Sequence, residues 1–156
     1  MGNELNLDTP WVYDSAGAPW KTQALVQRIT HTLYSLTPGG EPGNDDLGAL
    51  SSWYVWAALG LYPQTPGVPM LVLGSPQFPQ EVIHGAYGDL AINAAGTGPY
   101  VHALQVNGAP SEQTYIDVKS ARTLDFTLSK TPDTNWGTAM SDAPPSFPAG
   151  PIKFPA

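Results

Sequence analysis

The chain has 156 residues and a formal net charge of −7, with only 12% charged residues. Its 16 glycines and 17 prolines, about a fifth of the chain, exclude a helical bundle, and because they follow no period they exclude collagen. The chain has no basic run, no long apolar stretch and no cysteine, which argues against nucleic acid as a partner, a membrane span, disulfides and thiolate metal sites.

An amphipathic helix is predicted over residues 20–36. Its apolar side chains recur at every fourth position, at Leu25, Ile29 and Leu33, which places them on one helix face. Residues 2–19 precede it and show no steady period. Because proline and glycine interrupt them, we expect a structured loop there.

A second helix is predicted between the Gly43-Asn44-Asp45-Asp46 cluster and Gly60. Either Asp45 or Asp46 would cap it, because a carboxylate accepts the free N–H groups of a first helical turn. The helix is apolar on most sides, and a helix of that kind is normally buried. We therefore expect both helices to need further helices as neighbours. The expected inner face consists of Leu47, Leu50, Tyr54, Ala57 and Ala58.

From residue 69 onward, short apolar runs alternate with turn signals, which is typical of a sandwich-like antiparallel sheet. Asn107-Gly108 is the strongest hairpin signal among them. After Trp136 the chain becomes rich in proline, and we expect an extended, poorly packed tail. The six predicted strands are Met70–Leu73, Glu81–His84, Leu90–Ala94, Tyr100–Val106, Thr114–Val118 and Thr123–Leu128.

Two polar clusters are candidates for chemistry. Gly43-Asn44-Asp45-Asp46 places two carboxylates and a carboxamide at a loop–helix junction, where they can hold a metal, a sugar hydroxyl or a water, or supply a general base. Ordinary helix capping is the alternative for this cluster. Gly2-Asn3-Glu4 carries oxygen ligands of the kind that Ca²⁺ takes, and solvated surface residues are the alternative there.

Aromatic side chains are candidates for stacking on sugar rings. Trp11 and Tyr13 lie in the predicted loop, where stacking on a ligand and core packing are both open. Core packing is favoured for Trp53, Tyr54 and Trp56 on the second helix. The three histidines, His31, His84 and His102, have no ligand spacing and are interpreted as structural.

These clusters, taken together, resemble the late catalytic region of family 92 glycoside hydrolases, which are calcium-dependent, inverting exo-α-mannosidases. The resemblance covers roughly residues 2–138 in one register. The motifs that carry it are Gly2-Asn3-Glu4, Ala16-Gly17-x-Pro19-Trp20-Lys21-Thr22-Gln23, Gly43-Asn44-Asp45-Asp46-x-Gly48, Trp53-Tyr54-Val55, Gly74-Ser75-Pro76-x-Phe78, Val106-Asn107-Gly108 and Asn135-Trp136-Gly137.

The resemblance implies an α+β fold: the last helices of an (α/α)6 barrel followed by C-terminal antiparallel β-strands. On this basis residues 1–66 belong to the barrel, 67–138 form the β-strand region, and 139–156 form the proline-rich tail. Family members are several times longer than this chain. Their catalytic acid, a glutamate, lies upstream of residue 1, so this chain alone is expected to be inactive.

The resemblance also implies roles for the first cluster. The family's general base comes from a Gly-x-x-Asp motif that corresponds to Asp46. Many relatives carry an acidic residue at the position of Asn44, which here would orient the water or the base by hydrogen bonds. Asp45 is a weaker catalytic candidate and a candidate helix cap.

The second cluster is implied to bind calcium and mannose. Asn3 and Glu4 match the motif that lines the calcium and mannose site, with Glu4 as the candidate calcium ligand. Trp11 is a further candidate substrate contact, because it is an aromatic residue in the predicted loop. The expected partners are α-mannosides or mannose-containing glycans and the upstream part of the same enzyme. An α-1,2 linkage is the expected substrate, although Leu7 and Asp8 replace histidines of many relatives.

The family implies a secreted or periplasmic, bacterial protein, although the first residues show no signal-peptide pattern. Two other classes remain open from the sequence. One is a non-catalytic carbohydrate-binding module, which would have no need for a positioned base at Asp46. The other is a purely structural segment that completes a barrel whose chemistry lies elsewhere.

Overall fold

A computed structural model describes residues 2–146 as an α+β structure in which short helices precede two sheets. None of the helices in this part of the chain combines the length and hydrophobicity needed to cross a bilayer. The helical elements are two 3₁₀ turns, Glu4–Asn6 and Thr9–Trp11, followed by α1 (Val12–Ser15), α2 (Pro19–Leu33) and α3 (Ala49–Leu59). The strands are β1 (Leu61–Tyr62), β2 (Met70–Leu73), β3 (Gln80–Gly85), β4 (Gly88–Gly96), β5 (Tyr100–Val106), β6 (Ala109–Ser111), β7 (Tyr115–Asp117) and β8 (Thr123–Ser129).

The first predicted helix is confirmed, but the loop predicted before it is wrong in part. α2 begins at Pro19, whose ring suits a first helical turn, and ends three residues earlier than expected because Tyr34 is extended. Residues 2–19 contain both 3₁₀ turns and α1. Elements of three or four residues are too short to show a helical period in the sequence.

The second predicted helix is confirmed, but its start and its inner face differ from the prediction. It begins at Ala49, after a turn, so Leu47 lies outside the helix and is fully exposed. Trp53 is buried and donates its Nε1–H to the carbonyl of Leu7 at 2.9 Å, whereas Tyr54 is 37% exposed. Leu50, Ala57 and Ala58 are buried as expected.

The strands form a three-stranded sheet, in the order β1-β2-β7, and a five-stranded sheet, in the order β3-β4-β8-β5-β6. All strand pairs are antiparallel except β4 and β8, which run parallel from Ala91 opposite Thr123 to Gly96 opposite Leu128. The antiparallel prediction is therefore wrong for this one pair. β4 and β8 are joined through the β5–β6 hairpin and β7, and a connection of that length permits parallel pairing.

The Asn107-Gly108 hairpin is confirmed. Both residues have positive φ, +52° and +78°, as the tight turn between β5 and β6 requires. Asn107 also accepts hydrogen bonds through its Oδ1 from the backbone N–H groups of Arg122 and Thr123, at 2.7 and 3.1 Å. The turn residue therefore also fastens the start of β8.

Two hydrophobic cores result from this packing. The larger one lies between the sheets, which agrees with the sandwich-like expectation, and includes Leu73, Ile92 and Phe126. The smaller one joins the helices to the three-stranded sheet and centres on Trp11. The Trp11 ring stacks on Tyr62 at 5.0 Å between centroids and meets Trp53 edge-on at 6.4 Å.

The prediction of a poorly packed tail is wrong for its first residues. The carbonyl of Asp142 accepts hydrogen bonds from the backbone N–H and the hydroxyl of Thr114, at 2.8 and 3.0 Å. Ala143 is buried. Residues 147–156 of the predicted tail lie outside the described residues.

Candidate active site

The fold brings together the two polar clusters that the sequence singles out. Gly2 and Gly43 lie against each other, because a Cβ atom added to Gly43 would overlap the carbonyl oxygen of Gly2 and lie 3.0 Å from its Cα. A Cβ atom on Gly2 would lie 3.3 Å from the carbonyl oxygen of Pro42. Glycine at both positions therefore lets the Asn3-Glu4 segment lie beside the Asp45-Asp46 segment.

The turn before α3 has an unusual backbone. Asp46, Leu47 and Gly48 follow one another with φ of +48°, +62° and +89°. Non-glycine residues in this region cost about 1–3 kcal/mol each, and they persist where the surrounding structure fixes them, often at functional sites. This turn separates the two aspartates, which consequently make different contacts.

Asp45 binds the first turn of α3 from outside the helix, whose N-cap position is taken by Gly48. Its carboxylate accepts hydrogen bonds from the backbone N–H of Ser51 at 2.8 Å and from the Ser51 hydroxyl at 3.1 Å. Asp46 is exposed and, within residues 2–146, makes no such bond to the helix. The two interpretations of the cluster therefore apply to different residues. Asp45 stabilises the start of α3, and the Asp46 carboxylate is free for chemistry.

Asp46 and Glu4 lie side by side, although 42 positions separate them in the sequence. The pKa of Asp46 is raised, first by partial desolvation, then by the charge of Glu4 and a side-chain hydrogen bond with it, and then by the charge of Asp45. Adjacent carboxylates repel each other when both are ionised, so they favour a shared proton or a bound cation.

The remaining predicted residues divide into surface and core. Asn3 caps the first 3₁₀ turn, because its Oδ1 accepts the N–H of Leu5 at 3.3 Å. Asn44 is exposed beside Asp45, and its side chain makes no hydrogen bond to another of the described residues. The expectation that Trp11 contacts substrate is wrong for this conformation, because Trp11 is fully buried between Trp53 and Tyr62 and has no face open to a sugar.

Two residues at the site were not anticipated from the sequence. Ser51 holds Asp45, and Tyr34 donates its hydroxyl hydrogen to the carbonyl of Leu50 at 3.1 Å. Burial, together with the smaller effects of the Glu41 and Asp45 charges, raises the pKa of Tyr34 to about 12. A serine five or six residues after a capping acid is too common a pattern to have indicated this contact.

The donor set fits calcium in kind. Glu4, Asp46 and Asn3 supply hard oxygen atoms, and the mutual repulsion of the two carboxylates favours a divalent cation between them. Calcium takes six to eight oxygen ligands. Residues 2–146 contain no group of three or more His, Cys, Asp or Glu side chains arranged to hold a metal ion, so further ligands would have to be backbone, water, substrate or other protein atoms.

Comparison with known proteins identifies the family. The model of the glycosyl hydrolase family 92 catalytic domain matches residues 1–130. The chain belongs to glycosyl hydrolase family 92. Its fold matches the family 92 α-mannosidase BT3965 of Bacteroides thetaiotaomicron, whose structure is also known in complex with mannoimidazole, with a TM-score of 0.87 and 30% identity over 93% of this chain and 20% of that one.

Two further family 92 relatives agree. The inverting mannosidase BT2199 of the same bacterium matches with a TM-score of 0.85 and 30% identity over 92% of this chain and 20% of that one. An uncharacterized secreted glycosidase of Arthroderma benhamiae is 32% identical over 96% of this chain and 20% of its own length. The chain therefore spans about a fifth of the length of these family 92 proteins, and it corresponds to their C-terminal part.

The contact between the two clusters can be tested by comparing two glycines of similar φ. We expect Gly43→Ala to lower the free energy of unfolding by at least about 2 kcal/mol more than Gly67→Ala. Both positions have positive φ, +87° and +81°, but a new Cβ atom meets the Gly2 backbone at Gly43 and nothing within 4 Å at Gly67. Urea denaturation of the two variants measures the difference, and equal losses would show that the clusters do not touch.

Because Asp45 binds α3 and Asp46 does not, variants at the two positions are expected to differ in unfolding free energy. Asp45→Ala removes both hydrogen bonds to Ser51 and is expected to cost about 1–2 kcal/mol of unfolding free energy. Asp46→Asn is expected to change stability by less than about 0.5 kcal/mol, since asparagine tolerates positive φ and no helix contact is lost. Urea denaturation would contradict this assignment if Asp46→Asn proved the more damaging change.

Proposed function

We propose that the complete protein to which this chain belongs hydrolyses terminal α-mannosyl linkages with inversion of the anomeric centre, and that Asp46 is its general base. The observation that carries this proposal is the position of Asp46. A left-handed turn releases its carboxylate from helix capping and sets it beside Glu4. Membership of family 92, whose solved relatives include an inverting mannosidase, supports the reaction class.

Inversion requires an acid and a base on opposite faces of the sugar. The two carboxyl groups of an inverting glycosidase stand roughly 6.5–9.5 Å apart, which leaves room for a water. Asp46 would take a proton from that water as it attacks the anomeric carbon. Asn44 would orient the water, and Asp45 would hold the loop on α3 through Ser51.

The proton for the leaving oxygen must come from an acid elsewhere in the complete protein. The family resemblance assigns this role to a glutamate upstream of residue 1. We therefore expect the 156-residue chain to bind part of the sugar but not to turn it over.

We further propose calcium as the cofactor. Glu4 and Asn3 would hold it beside Asp46, where bound calcium would supply contacts to sugar hydroxyl groups and help to distort the ring. The protein side of this proposal is electrostatic, since a divalent cation relieves the repulsion between the Glu4 and Asp46 carboxylates. With the cation bound, Asp46 would remain ionised and able to accept a proton.

The helices are proposed to be the last ones of an (α/α)6 barrel. Residues 1–66 would be the C-terminal portion of that barrel, 67–138 the β-strand region and 139–156 the proline-rich tail. Four apolar side chains around the end of α2 and on α3 remain exposed, at 42%, 108%, 37% and 57% for Leu33, Leu36, Tyr54 and Val55. Such a patch is typical of a surface that other structure covers. A secreted relative supports an extracellular or periplasmic location.

The role of Asp46 is tested by activity of the complete protein on α-1,2-mannobiose. We expect Asp46→Asn to lower kcat by about 10²–10⁴-fold with KM nearly unchanged, because it removes proton acceptance and retains shape. Asp89→Asn, at an exposed carboxylate paired with His84 in the distant sheet, is the control. Nuclear magnetic resonance of the first product should show β-mannose. Full activity of Asp46→Asn, or α-mannose as first product, would contradict the mechanism.

The calcium proposal is tested by calorimetric titration of the same protein with calcium chloride. We expect Glu4→Gln to weaken calcium binding by about tenfold or more, since it replaces a charged oxygen ligand by a neutral one. Glu41→Gln removes a negative charge that, with Asp45, acts on Tyr34 and that the proposal does not place on the ion, so it should change the affinity much less. Equal affinities for Glu4→Gln and the unaltered protein would support a purely structural role for this segment.

A further inference from the structure

A second concave surface lies along α2 and the five-stranded sheet. Two cavities of about 710 and 720 Å³ share Gly96, Thr97 and Leu128 in their walls. The second cavity shares Ala24 and Arg28 with a third, of about 340 Å³. The three form one continuous surface, here named the basic groove, and neither Glu4 nor Asp46 lines it.

The basic groove collects positive charge in a protein with a net charge of −7. Lys21, Arg28 and Lys130 line it, which is three of the five Lys and Arg residues in the described part of the chain. Asp133 is the one carboxylate among the lining residues. Within residues 2–146, no Lys or Arg side chain lies within 4.0 Å of a carboxylate, so the charges of these three are not neutralised by ion pairs.

The Asn135-Trp136 motif, which the proposed reaction leaves unused, shapes one end of the groove. Asp133 accepts hydrogen bonds from the backbone N–H groups of Asn135 and Trp136, at 2.9 and 3.3 Å, and from His102 Nδ1 at 2.7 Å. Chiefly through the Asn135 bond, these contacts hold the pKa of Asp133 below its usual value, so it is the acceptor and Nδ1 the donor. The Nε2 atom of His102 is then the ring nitrogen left to bind a ligand. The Asp133 carboxylate already accepts hydrogen bonds from His102, Asn135 and Trp136.

Aromatic side chains line the middle of the groove. Phe78 is 55% exposed, and Tyr100 lies in the same wall, half-buried. Phe78 closes the Gly74-Ser75-Pro76-x-Phe78 motif and packs no core, since it is absent from both hydrophobic clusters. Arg28 lines the same cavity as the exposed Phe78 ring. The two residues therefore offer what a charged sugar needs, an apolar face for stacking and a cation for its anionic group.

We propose that the basic groove binds an acidic carbohydrate, a sugar chain bearing carboxylate or sulfate groups, and so anchors a glycan away from the Asp46 site. Arg28 and Lys130 would bind the anionic groups, and Phe78 would stack on a sugar ring. The acidic Glu4–Asp46 cluster repels such anions, so the two sites select different parts of a glycan. That the ligand is a carbohydrate rests on the proposed function. That the ligand is anionic rests only on the charges of the groove.

Binding is measured by calorimetry on the complete protein carrying Asp46→Asn, a change that limits hydrolysis of the ligand. Three oligosaccharides are compared: oligogalacturonate, which carries carboxylates, sulfated dextran oligosaccharide, and neutral α-mannan oligosaccharide. We expect at least one acidic oligosaccharide to bind about tenfold or more tightly than the neutral one, with an affinity that falls as sodium chloride is raised. The acidic ligand that binds identifies the anionic group. Equal binding of all three, or no binding of either acidic one, overturns the proposal, and neither result depends on hydrolysis.

Variants locate the binding. Arg28→Gln combined with Lys130→Gln should weaken binding of the acidic oligosaccharide by about tenfold or more. Lys119→Gln is the control, because Lys119 lies outside the groove beside Tyr87, and it should leave this affinity unchanged. Phe78→Ala should weaken binding of the oligosaccharide but not binding of inorganic sulfate, because sulfate has no ring to stack on Phe78. Losses that are equal for the double variant and Lys119→Gln would overturn the groove as the site. If the Phe78→Ala variant bound the oligosaccharide with unchanged affinity, the proposal that the groove is specific for carbohydrate would be overturned. Unchanged urea denaturation of each variant confirms that the fold is intact.

Discussion

The packing of Trp11 holds this structure together. Its ring is stacked on Tyr62, at the start of the sheets, and meets Trp53 of α3 edge-on. Trp53 in turn donates a hydrogen bond to the carbonyl of Leu7, which ties the first segment of the chain to the same helix. Because α3 follows the Asp45-Asp46 turn, fixing residues 7–11 against α3 also fixes Glu4 beside Asp46. The aromatic cluster and the acidic site are therefore parts of one arrangement.

The acidic site combines an anchored residue with an unanchored one. Both carboxylate oxygens of Asp45 accept hydrogen bonds from Ser51, and these bonds fix the start of α3. Three successive residues of positive φ then turn Asp46 away from the helix and toward Glu4. A regular first turn would place a second carboxylate on the helix end, where free N–H groups would hold it. The left-handed turn instead leaves the Asp46 carboxylate exposed beside Glu4.

Charge is distributed unevenly over the molecule. Carboxylates gather where Glu4, Asp45 and Asp46 meet, and Lys21, Arg28 and Lys130 line the basic groove along α2. Attraction of a cation to the first region and of an anion to the second follows from the same Coulomb interaction with opposite sign.

The sequence by itself determined the local elements and the family. The four-residue repeat of α2, the Asn107-Gly108 turn and the paired motifs around Gly2 and Gly43 are local patterns, and each predicts a feature that depends on neighbouring residues. Tertiary structure decided which aspartate caps α3, that Trp11 is buried and that β4 pairs in parallel with β8. These features depend on contacts between residues far apart in the chain, and adjacent aspartates look alike in a sequence until backbone strain and packing give them different surroundings.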